Sequence, residues 1–366
     1  MDAYIGVMSG TSLDGIDAAI ARFPDDSVEV IDQIDYPLPD AIRQEAYDLI
    51  TNDDDSLNRY FKLANQVAKA YAHCINELTA RHPDLEIRAC GCHGQTLRHF
   101  PVAPSPFTVQ AINGAGVALE TGLITVTDFR SADMWCQGQG APLAPAFHAQ
   151  CFRDSRVNRV IVNLGGIANV TFLPANQNEP VIGFDTGLAS GLMDLWIQRH
   201  LGKTFDEGGK WAASGRPDPR LLEKLSADPY FALLPPKSTG KEYFNEAWLD
   251  KKLKSFENLS PVDIQATLLE FTVATVTEAI QKFCPNSTQV FVCGGGRNNV
   301  TLMTMLAERL APAQLGTTAA LGIEPQLVEA TAFAWLAKQR MERRPGNLAS
   351  VTGANQDVIL GAVYLP

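Results

Sequence analysis

Residues 4–21, YIGVMSGTSLDGIDAAIA, decide the fold of the first part of this chain. Two apolar runs, 4–8 and 18–21, flank a segment made of glycine, hydroxyl and carboxylate residues. Two strands joined by a tight turn form a β-hairpin. Gly10 and Gly15 tolerate positive φ angles, so backbone N–H groups of the turn can converge on an anion.

The polar side chains of this turn are suited to a nucleotide phosphate. Thr11 and Ser12 offer hydroxyl donors, and Asp14 and Asp17 can hold Mg²⁺ or its water ligands. An ordinary turn remains an open alternative, because Gly, Ser and Asp are common in turns of every kind. The segment is not a Walker A loop or a dinucleotide fingerprint, because no Gly-Lys-Ser/Thr follows and no G-x-G-x-x-G opens a helix.

Length and composition predict a globular protein of two domains. The chain has 366 residues, of which 46% are hydrophobic and 19% are charged. Its net charge of −11 disfavours nucleic acid or an anionic membrane as the main partner. We expect a cytoplasmic protein with reduced thiols, because we find no signal peptide or long apolar run and the seven cysteines are an odd number. The run 90–93, CGCH, is only a weak metal motif, because no second Cys/His pair stands at a zinc spacing.

The second half of the chain repeats the pattern of the first. Strands are predicted at 159–164 and 167–173, joined by Gly165 and Gly166, and a third strand at 181–184 ends at Asp185. A further strand at 289–293 runs into a glycine cluster that is expected to start a helix and bind an anion or nucleoside; the cluster comprises Gly294, Gly295 and Gly296. Glycine turns after strands mark ligand crevices in α/β proteins.

These patterns predict two α/β domains around a cleft. The first domain is placed at 1–135 together with the tail at about 345–366, and the second at 136–344. Three strands open the first domain, and a long helix at roughly 55–80 follows them. A strand at 87–92 comes next and leads into a polar turn that contains Gln95 and Thr96. Further helices are expected near 188–200, 263–283, 298–310 and 326–340.

The motifs as a set resemble those of the anhydro-N-acetylmuramic acid kinases, a family of the actin/hexokinase/sugar-kinase superfamily. The resemblance spans almost the whole chain and rests on residues 6–17, 93–96, 128–133, 138–143, 163–169, 184–187, 206–209 and 293–298, with Ala330, Phe333 and Ala334. One departure concerns the first turn, where the wider superfamily has Asp-x-Gly-Thr and this chain has Met8-Ser9-Gly10-Thr11. The aspartate that would hold magnesium at that position is therefore absent, and Asp14 is the candidate for that role, with no metal ligand assigned beyond it.

The resemblance implies a fold and a reaction. The fold would be two actin/hexokinase-like (ribonuclease H-like) domains, with mixed sheets flanked by helices, around an interdomain cleft. The reaction would use ATP and Mg²⁺ to phosphorylate a small anhydro amino sugar. Water would open the 1,6-anhydro ring of 1,6-anhydro-N-acetylmuramic acid, and O6 would take the γ-phosphoryl group. The product would be N-acetylmuramic acid 6-phosphate, formed in peptidoglycan recycling, and the resemblance also suggests a homodimer.

Site residues follow in part from position and in part from the resemblance. By position, Asp185 is either a general base at the mouth of the cleft or a helix N-cap, and the resemblance favours the base. Sugar contacts are expected from Gln95, Thr96, Arg130, Asp133 and Glu329, although a surface ion pair for Arg130 with Asp133 and an ordinary helix-surface acid for Glu329 remain open. The expected nucleotide-binding residues are Gly10, Thr11, Ser12, Leu13, Asp14, Gly15, Ile16, Asp17, Gly165, Gly166, Gly294, Gly295, Gly296 and Asn298.

Two other functions stay open at this point. A conventional amino-sugar kinase would use Asp185 to deprotonate a sugar hydroxyl instead of water. An ATP-switched binding protein would need a large partner-binding domain, for which the length leaves little room.

Overall fold

The computed structural model describes residues 2–10, 13, 15–24, 27–51, 56–101, 104–240 and 243–366. Contacts divide the chain into two compact units. The first unit comprises residues 1–151 and 326–366, and the second comprises residues 152–325.

Strands are found in both units. In chain order they are β1 (Ala3–Ser9), β2 (Gly15–Arg22), β3 (Glu29–Pro37), β4 (Ile87–Cys92), β5 (Gln95–Phe100), β6 (Phe107–Ala111), β7 (Thr125–Thr127), β8 (Asn158–Leu164), β9 (Ile167–Leu173), β10 (Ile182–Leu188), β11 (Ser287–Cys293), β12 (Gln314–Thr317) and β13 (Ala362–Tyr364).

The helices vary widely in length. In chain order they are α1 (Asp40–Thr51), α2 (Leu57–Arg81), α3 (Gly114–Thr121), α4 (Ser131–Trp135), α5 (Ala144–Phe152), α6 (Gly191–Leu201), α7 (Lys210–Ser214), α8 (Pro219–Ser226), α9 (Glu246–Leu253), α10 (Pro261–Phe283), α11 (Val300–Leu310), α12 (Val328–Met341) and α13 (Ala349–Thr352). Short 3₁₀ turns lie at 207–209, 229–232, 295–298, 318–321 and 325–327. No helix among the described residues is long and apolar enough to cross a membrane.

The two main sheets have the same strand order. Read from the same edge, the order is β3-β2-β1-β4-β7 in the first unit and β10-β9-β8-β11-β12 in the second. The first sheet has one further strand, β13, beside β7. In both, three consecutive strands form an antiparallel meander, and the first of them pairs in parallel with a later strand on its other side. The predicted duplication of mixed sheets flanked by helices is therefore confirmed, and the shared order is that of the ribonuclease H-like fold.

Helix α12 packs directly on the first sheet through glycines. A Cβ at Gly6 would lie 1.8 Å from the carbonyl oxygen of Ala330, and one at Gly91 would lie 2.1 Å from that of Phe333. These close approaches require glycine at both strand positions. They explain why the contacts assign residues 326–344 to the first unit, whereas the sequence placed them in the second, with a boundary at 135/136 instead of 151/152.

The hydrophobic core of each unit lies between its sheet and its longest helix. In the first unit, α2 buries Leu63, Val67, Tyr71 and Ile75 at helical spacing against the sheet. In the second unit, the apolar face of α10 packs on β10 and β9. The tail returns to the first unit as β13, which pairs antiparallel with β7.

Candidate active site

The turn between β1 and β2 is held from within the first unit. The carbonyl of Gly10 accepts hydrogen bonds from the N–H of Leu13 at 3.2 Å and from Nε2 of Gln95 at 3.3 Å. Leu13 has a φ of 63°, and its carbonyl accepts a hydrogen bond from Nε of Arg43 at 3.0 Å. These bonds fix the backbone at both ends of the described part of the turn. The predicted residues Thr11, Ser12 and Asp14 lie outside the described residues.

Two predicted nucleotide-binding residues of this segment have buried side chains. Leu13 is 5% exposed and Ile16 is fully buried, and both belong to the core of the first unit. Their contribution to a nucleotide site is therefore limited to backbone groups. Gly15 opens β2, where a Cβ would lie 3.2 Å from the carbonyl oxygen of Tyr36.

Asp17 lies in a group of like charges. It stands on β2 directly opposite Asp35 of β3. Burial and, after it, the negative charges of Asp35 and Glu329 together raise the pKa of Asp17 from 3.8 to about 7. A carboxylate among other carboxylates favours a nearby cation, which would relieve this repulsion.

Arg130 has neutral hydrogen-bond partners. Its Nη2 and Nε donate to Nε2 of His93, at 2.8 and 3.2 Å, and its Nη1 donates to the carbonyl of Gly140 at 2.8 Å. Because a guanidinium only donates, Nε2 is the unprotonated nitrogen of His93. Burial lowers the pKa of Arg130 to about 10, while Glu329 and Asp133 act in the opposite direction. Burial, helped by Arg130, also lowers the pKa of His93 well below its usual value, so this imidazole is neutral.

Asp133 connects Arg130 to the C-terminal segment. Its carboxylate is fully buried and accepts hydrogen bonds from Gly140 N–H at 2.7 Å, Asn347 Nδ2 at 2.6 Å and Thr352 Oγ1 at 2.6 Å. Gly140 is also the residue whose carbonyl accepts from Arg130. The structure thus places Asp133 where it holds the loop that orients Arg130.

Gln95 and Thr96 open strand β5; the sequence instead placed them in a polar turn. Residues 95–100 do not indicate a strand, because their apolar residues, Leu97 and Phe100, do not alternate with polar ones. The side chain of Gln95 is fully buried, and its Oε1 has no hydrogen-bond partner among the described residues. Thr96 accepts a hydrogen bond from Nε2 of Gln110 at 3.3 Å. A buried amide oxygen without a partner favours a ligand that donates a hydrogen bond.

Glu329 projects from α12 as a solvent-accessible carboxyl among buried neighbours. Desolvation by the protein atoms packed around it raises the pKa of Glu329, and the positive charge of Arg130 lowers it. In the first unit, the charge of Glu329 therefore interacts with both Asp17 and Arg130. Gln95 is hydrogen-bonded to the turn that precedes Asp17.

In the second unit, Asp185 lies inside strand β10 at a bulge. The sequence placed it after the end of a strand, with a helix N-cap as the alternative; in the structure β10 continues to Leu188, and α6 begins at Gly191. The bulge follows from a register shift against β9 between Asp185 and Gly187, whose φ is 131°. A β-bulge redirects a side chain from the regular alternation of the strand.

Hydrogen bonds with residues 230–239 hold Asp185. Its N–H donates to the carbonyl of Lys237 at 3.1 Å, and its own carbonyl accepts from the hydroxyl of Tyr230 at 2.6 Å. Its Oδ2 accepts from the N–H of Thr239 at 2.9 Å. The carboxylate and its backbone are thereby fixed, and the side chain stays partly accessible.

The sequence reasoning missed Tyr230, Lys237 and Thr239. The only signal was the Ser-Thr-Gly run at 238–240, which follows Pro235 and Pro236 and marks a turn. No spacing rule connects that turn to a strand about fifty residues earlier, because the contact arises from the fold.

The second glycine turn faces a helix N-terminus. The carbonyl of Gly165 accepts a hydrogen bond from Ser190 N–H at 3.0 Å, and the carbonyl of Gly166 accepts from Ala189 and Gly191 at 3.0 and 3.1 Å. The glycine turn is therefore hydrogen-bonded to the backbone at the start of α6. The dipole of α6 favours an anion at this end of the helix.

The glycine cluster after β11 forms a 3₁₀ turn and does not start the helix directly. The turn spans 295–298, and α11 begins at Val300, with the side chain of Asn299 as its N-cap. A Cβ at Gly294 would lie 2.3 Å from Oδ1 of Asn163, so glycine is required there. Gly295 faces open space and Asn298 is exposed, which leaves room for a ligand against the backbone.

Duplicated sheets with a glycine-rich turn in each unit, together with a carboxylate fixed at a bulge, are the features of a two-domain kinase. The sequence profile of the family described as "Anhydro-N-acetylmuramic acid kinase" matches residues 2–366. The chain belongs to this family.

Curated relatives and solved structures give further comparisons. The chain is 46% identical to the anhydro-N-acetylmuramic acid kinase of Nitrosospira multiformis, covering 99% of this chain and 98% of that one. It is 44% identical to the enzyme of the same name from Coxiella burnetii, covering 99% and 97%. A xylulose kinase structure from Lactobacillus acidophilus aligns with a TM-score of 0.47 at 12% identity, covering 100% of this chain and 94% of that one.

Proposed function

We propose that this protein is an ATP-dependent kinase that opens the ring of 1,6-anhydro-N-acetylmuramic acid with water and phosphorylates O6. The products are N-acetylmuramic acid 6-phosphate and ADP, and the reaction belongs to peptidoglycan recycling in the cytoplasm. The observation that carries the proposal is the fixed, partly accessible carboxylate of Asp185 at the β10 bulge. Curated relatives with 44–46% identity carry the name of this activity.

Asp185 acts as the general base in this proposal. Its carboxylate takes a proton from a water molecule, whose oxygen bonds to the anomeric carbon of the sugar. The bond between that carbon and O6 breaks, and the freed O6 bonds to the γ-phosphorus of ATP as ADP leaves. The negative charge of Asp185 also stabilises the positive character that develops at the anomeric carbon. The N–H of Thr239 keeps one carboxylate oxygen in place during this transfer.

Residues of the first unit bind the sugar. Arg130, whose hydrogen-bond partners within the protein are neutral, binds the lactyl carboxylate. Oε1 of Gln95 accepts a hydrogen bond from the acetamido N–H or a hydroxyl, and Glu329 accepts from another hydroxyl. Thr96 adds a hydroxyl beside Gln95, and Asp133 contributes by holding the loop at Gly140.

Backbone groups of the glycine turns bind the nucleotide. We assign the β- and γ-phosphates to the turn at residues 10–17 and to Gly165 and Gly166, and the ribose and α-phosphate to residues 294–296 and Asn298. Mg²⁺ supplies neutralisation of phosphate charge in such transfers. Asp17 fits a role near this ion, because neighbouring carboxylates already raise its pKa and a cation would lower it. A homodimer is proposed from the family resemblance alone.

The first test replaces the base and traces the oxygen. Asp185→Asn should abolish turnover and leave ATP affinity unchanged, whereas Asp250→Asn, an exposed carboxylate of the same unit, should be silent. In ¹⁸O-labelled water, the normal protein should place one ¹⁸O at the anomeric carbon of freshly formed product. Near-normal turnover of Asp185→Asn would remove Asp185 as the base. Unlabelled product would indicate a conventional hydroxyl kinase of an amino sugar instead.

A further inference from the structure

Lys237 is a buried lysine in the second unit and has no role in the reaction steps proposed above. Lys237 is only 7% exposed, although a lysine is almost never buried unless it is paired with another group. Burying an ammonium group costs free energy unless nearby groups compensate for the lost water. The surroundings of this side chain therefore bear on why the lysine is present.

The groups around Lys237 are the groups that hold Asp185. Nζ of Lys237 donates to the carbonyl of Tyr230 at 3.4 Å and lies 4.6 Å from the centroid of the Tyr230 ring. It also lies 5.8 Å from the ring of Phe184, the residue before Asp185. Tyr230 in turn donates its hydroxyl to the carbonyl of Asp185. The lysine thus makes cation–π contacts with two aromatic rings, that of the residue before Asp185 and that of the tyrosine whose hydroxyl binds the Asp185 carbonyl.

The main chain of the lysine completes this arrangement. Its carbonyl accepts the N–H of Asp185, and two residues later the N–H of Thr239 reaches the carboxylate. Segment 237–239 therefore contacts Asp185 on both its backbone and its side chain. A side chain that anchors this segment also fixes the direction of the carboxylate.

We propose that Lys237 is a positioning residue for Asp185: its buried ammonium group anchors segment 237–239 on the β10 bulge and favours the ionised form of the carboxylate. This inference rests on the proposed role of Asp185 as the base. Lys237 is not expected to touch the sugar or the nucleotide. Its effect should appear in the pH at which the base becomes active, and only weakly in substrate binding.

The charges that face Lys237 are consistent with this role. Burial lowers its pKa, Lys282 of α10 lowers it further, and Asp185 of β10 acts in the opposite direction. Burial raises the pKa of Tyr230, from the turn at 229–232, and Asp185 raises it further, so this phenol stays neutral. Within these surroundings, Asp185 is the negative group that stabilises the ammonium ion, and the stabilisation is mutual.

The test compares Lys237→Met and Lys237→Arg in the full-length enzyme by measuring kcat and KM between pH 3 and pH 8, a range that includes the ordinary aspartate pKa of about 3.9. A base works only when it is deprotonated, so kcat rises with pH through an acid limb. Loss of the positive charge in Lys237→Met should move that limb upward by about one pH unit. KM for both substrates should change less than about twofold. Lys237→Arg, which keeps the positive charge, should leave the acid limb at the same pH as in the normal protein.

Two controls keep the outcomes distinct. If Lys237→Met melts below the assay temperature, Lys237→Gln replaces it, because its amide still donates to the carbonyl of Tyr230 without a charge. An acid limb that stays in place in a folded, uncharged variant would overturn the inference, as would a change confined to KM. Failure of the proposed function is separate: it would appear as an active Asp185→Asn variant.

Discussion

The group of carboxylates around Asp17 predicts that one substitution will stabilise the protein while impairing its function. Asp17→Asn removes a carboxyl whose pKa is raised from 3.8 to about 7 by burial and by the charges of Asp35 and Glu329. The folded protein holds this proton more tightly than the unfolded chain does. The stability contributed by the protonated form is therefore complete below about pH 4 and is lost as pH rises to about 7.

The magnitude follows from that pKa difference. At about 1.4 kcal/mol for each pH unit, the change from 3.8 to about 7 corresponds to about 4 kcal/mol. Solvent screening of the partly exposed carboxyl reduces this figure, so we expect Asp17→Asn to gain about 2–4 kcal/mol above pH 7. The gain should shrink towards zero as pH falls to about 4.

The assay measures melting temperature and urea unfolding of the normal protein and the variant at several values between pH 5 and pH 8. Glu29→Gln, on the neighbouring strand β3, removes an exposed carboxyl and serves as the control. The stability difference for Asp17→Asn should widen with pH, while that for Glu29→Gln should stay small. A difference that is flat with pH, or that narrows, would refute the reasoning. Turnover at low Mg²⁺ should fall in Asp17→Asn despite the higher stability.

Three further predictions concern packing and sugar binding. Gly6→Ala should destabilise the first unit by about 3 kcal/mol or more, because the new methyl group would meet the backbone of α12 at 1.8 Å; Gly316→Ala, with ordinary contacts, should change the melting temperature little. Arg130→Met should raise KM for the anhydro sugar about 10- to 100-fold with ATP affinity retained, and an unchanged KM would exclude a carboxylate contact. Asp133→Asn should lower the melting temperature, since at least one of its three donors would face an amide nitrogen, and a melting temperature at or above normal would contradict the structural role given to it.

Much of the sheet architecture could be predicted from short-range sequence signals. The hairpin of β1 and β2 was predictable because apolar runs flank a turn rich in glycine, and the repeat of this pattern at 159–173 predicted the duplication. The β5–β6 hairpin was missed, because residues 95–111 alternate only weakly between apolar and polar. Helix α12 was predicted as a helix but assigned to the wrong unit, since its contact with Gly6 joins residues more than three hundred positions apart.

Some site residues carry a local sequence signal, and others reach the site only through the fold. Glycines after strands carry a local signal, and so does a carboxylate such as Asp185 beside Thr186 and Gly187. The environment of Asp185 carries none, because Tyr230 and Thr239 reach it from a separate loop of the second unit. The bulge that directs its side chain likewise depends on pairing with β9, which no single-strand pattern reveals.

The measurement that tests the central claim most directly is ADP release with ATP, Mg²⁺ and 1,6-anhydro-N-acetylmuramic acid. Parallel reactions contain N-acetylmuramic acid, N-acetylglucosamine or glucose in place of the anhydro sugar. We expect turnover with the anhydro sugar alone, and the loss of that turnover in Asp185→Asn. Turnover with the open sugars instead would contradict the claim and identify a conventional amino-sugar kinase, and no turnover with any of the four would indicate an ATP-switched binding protein.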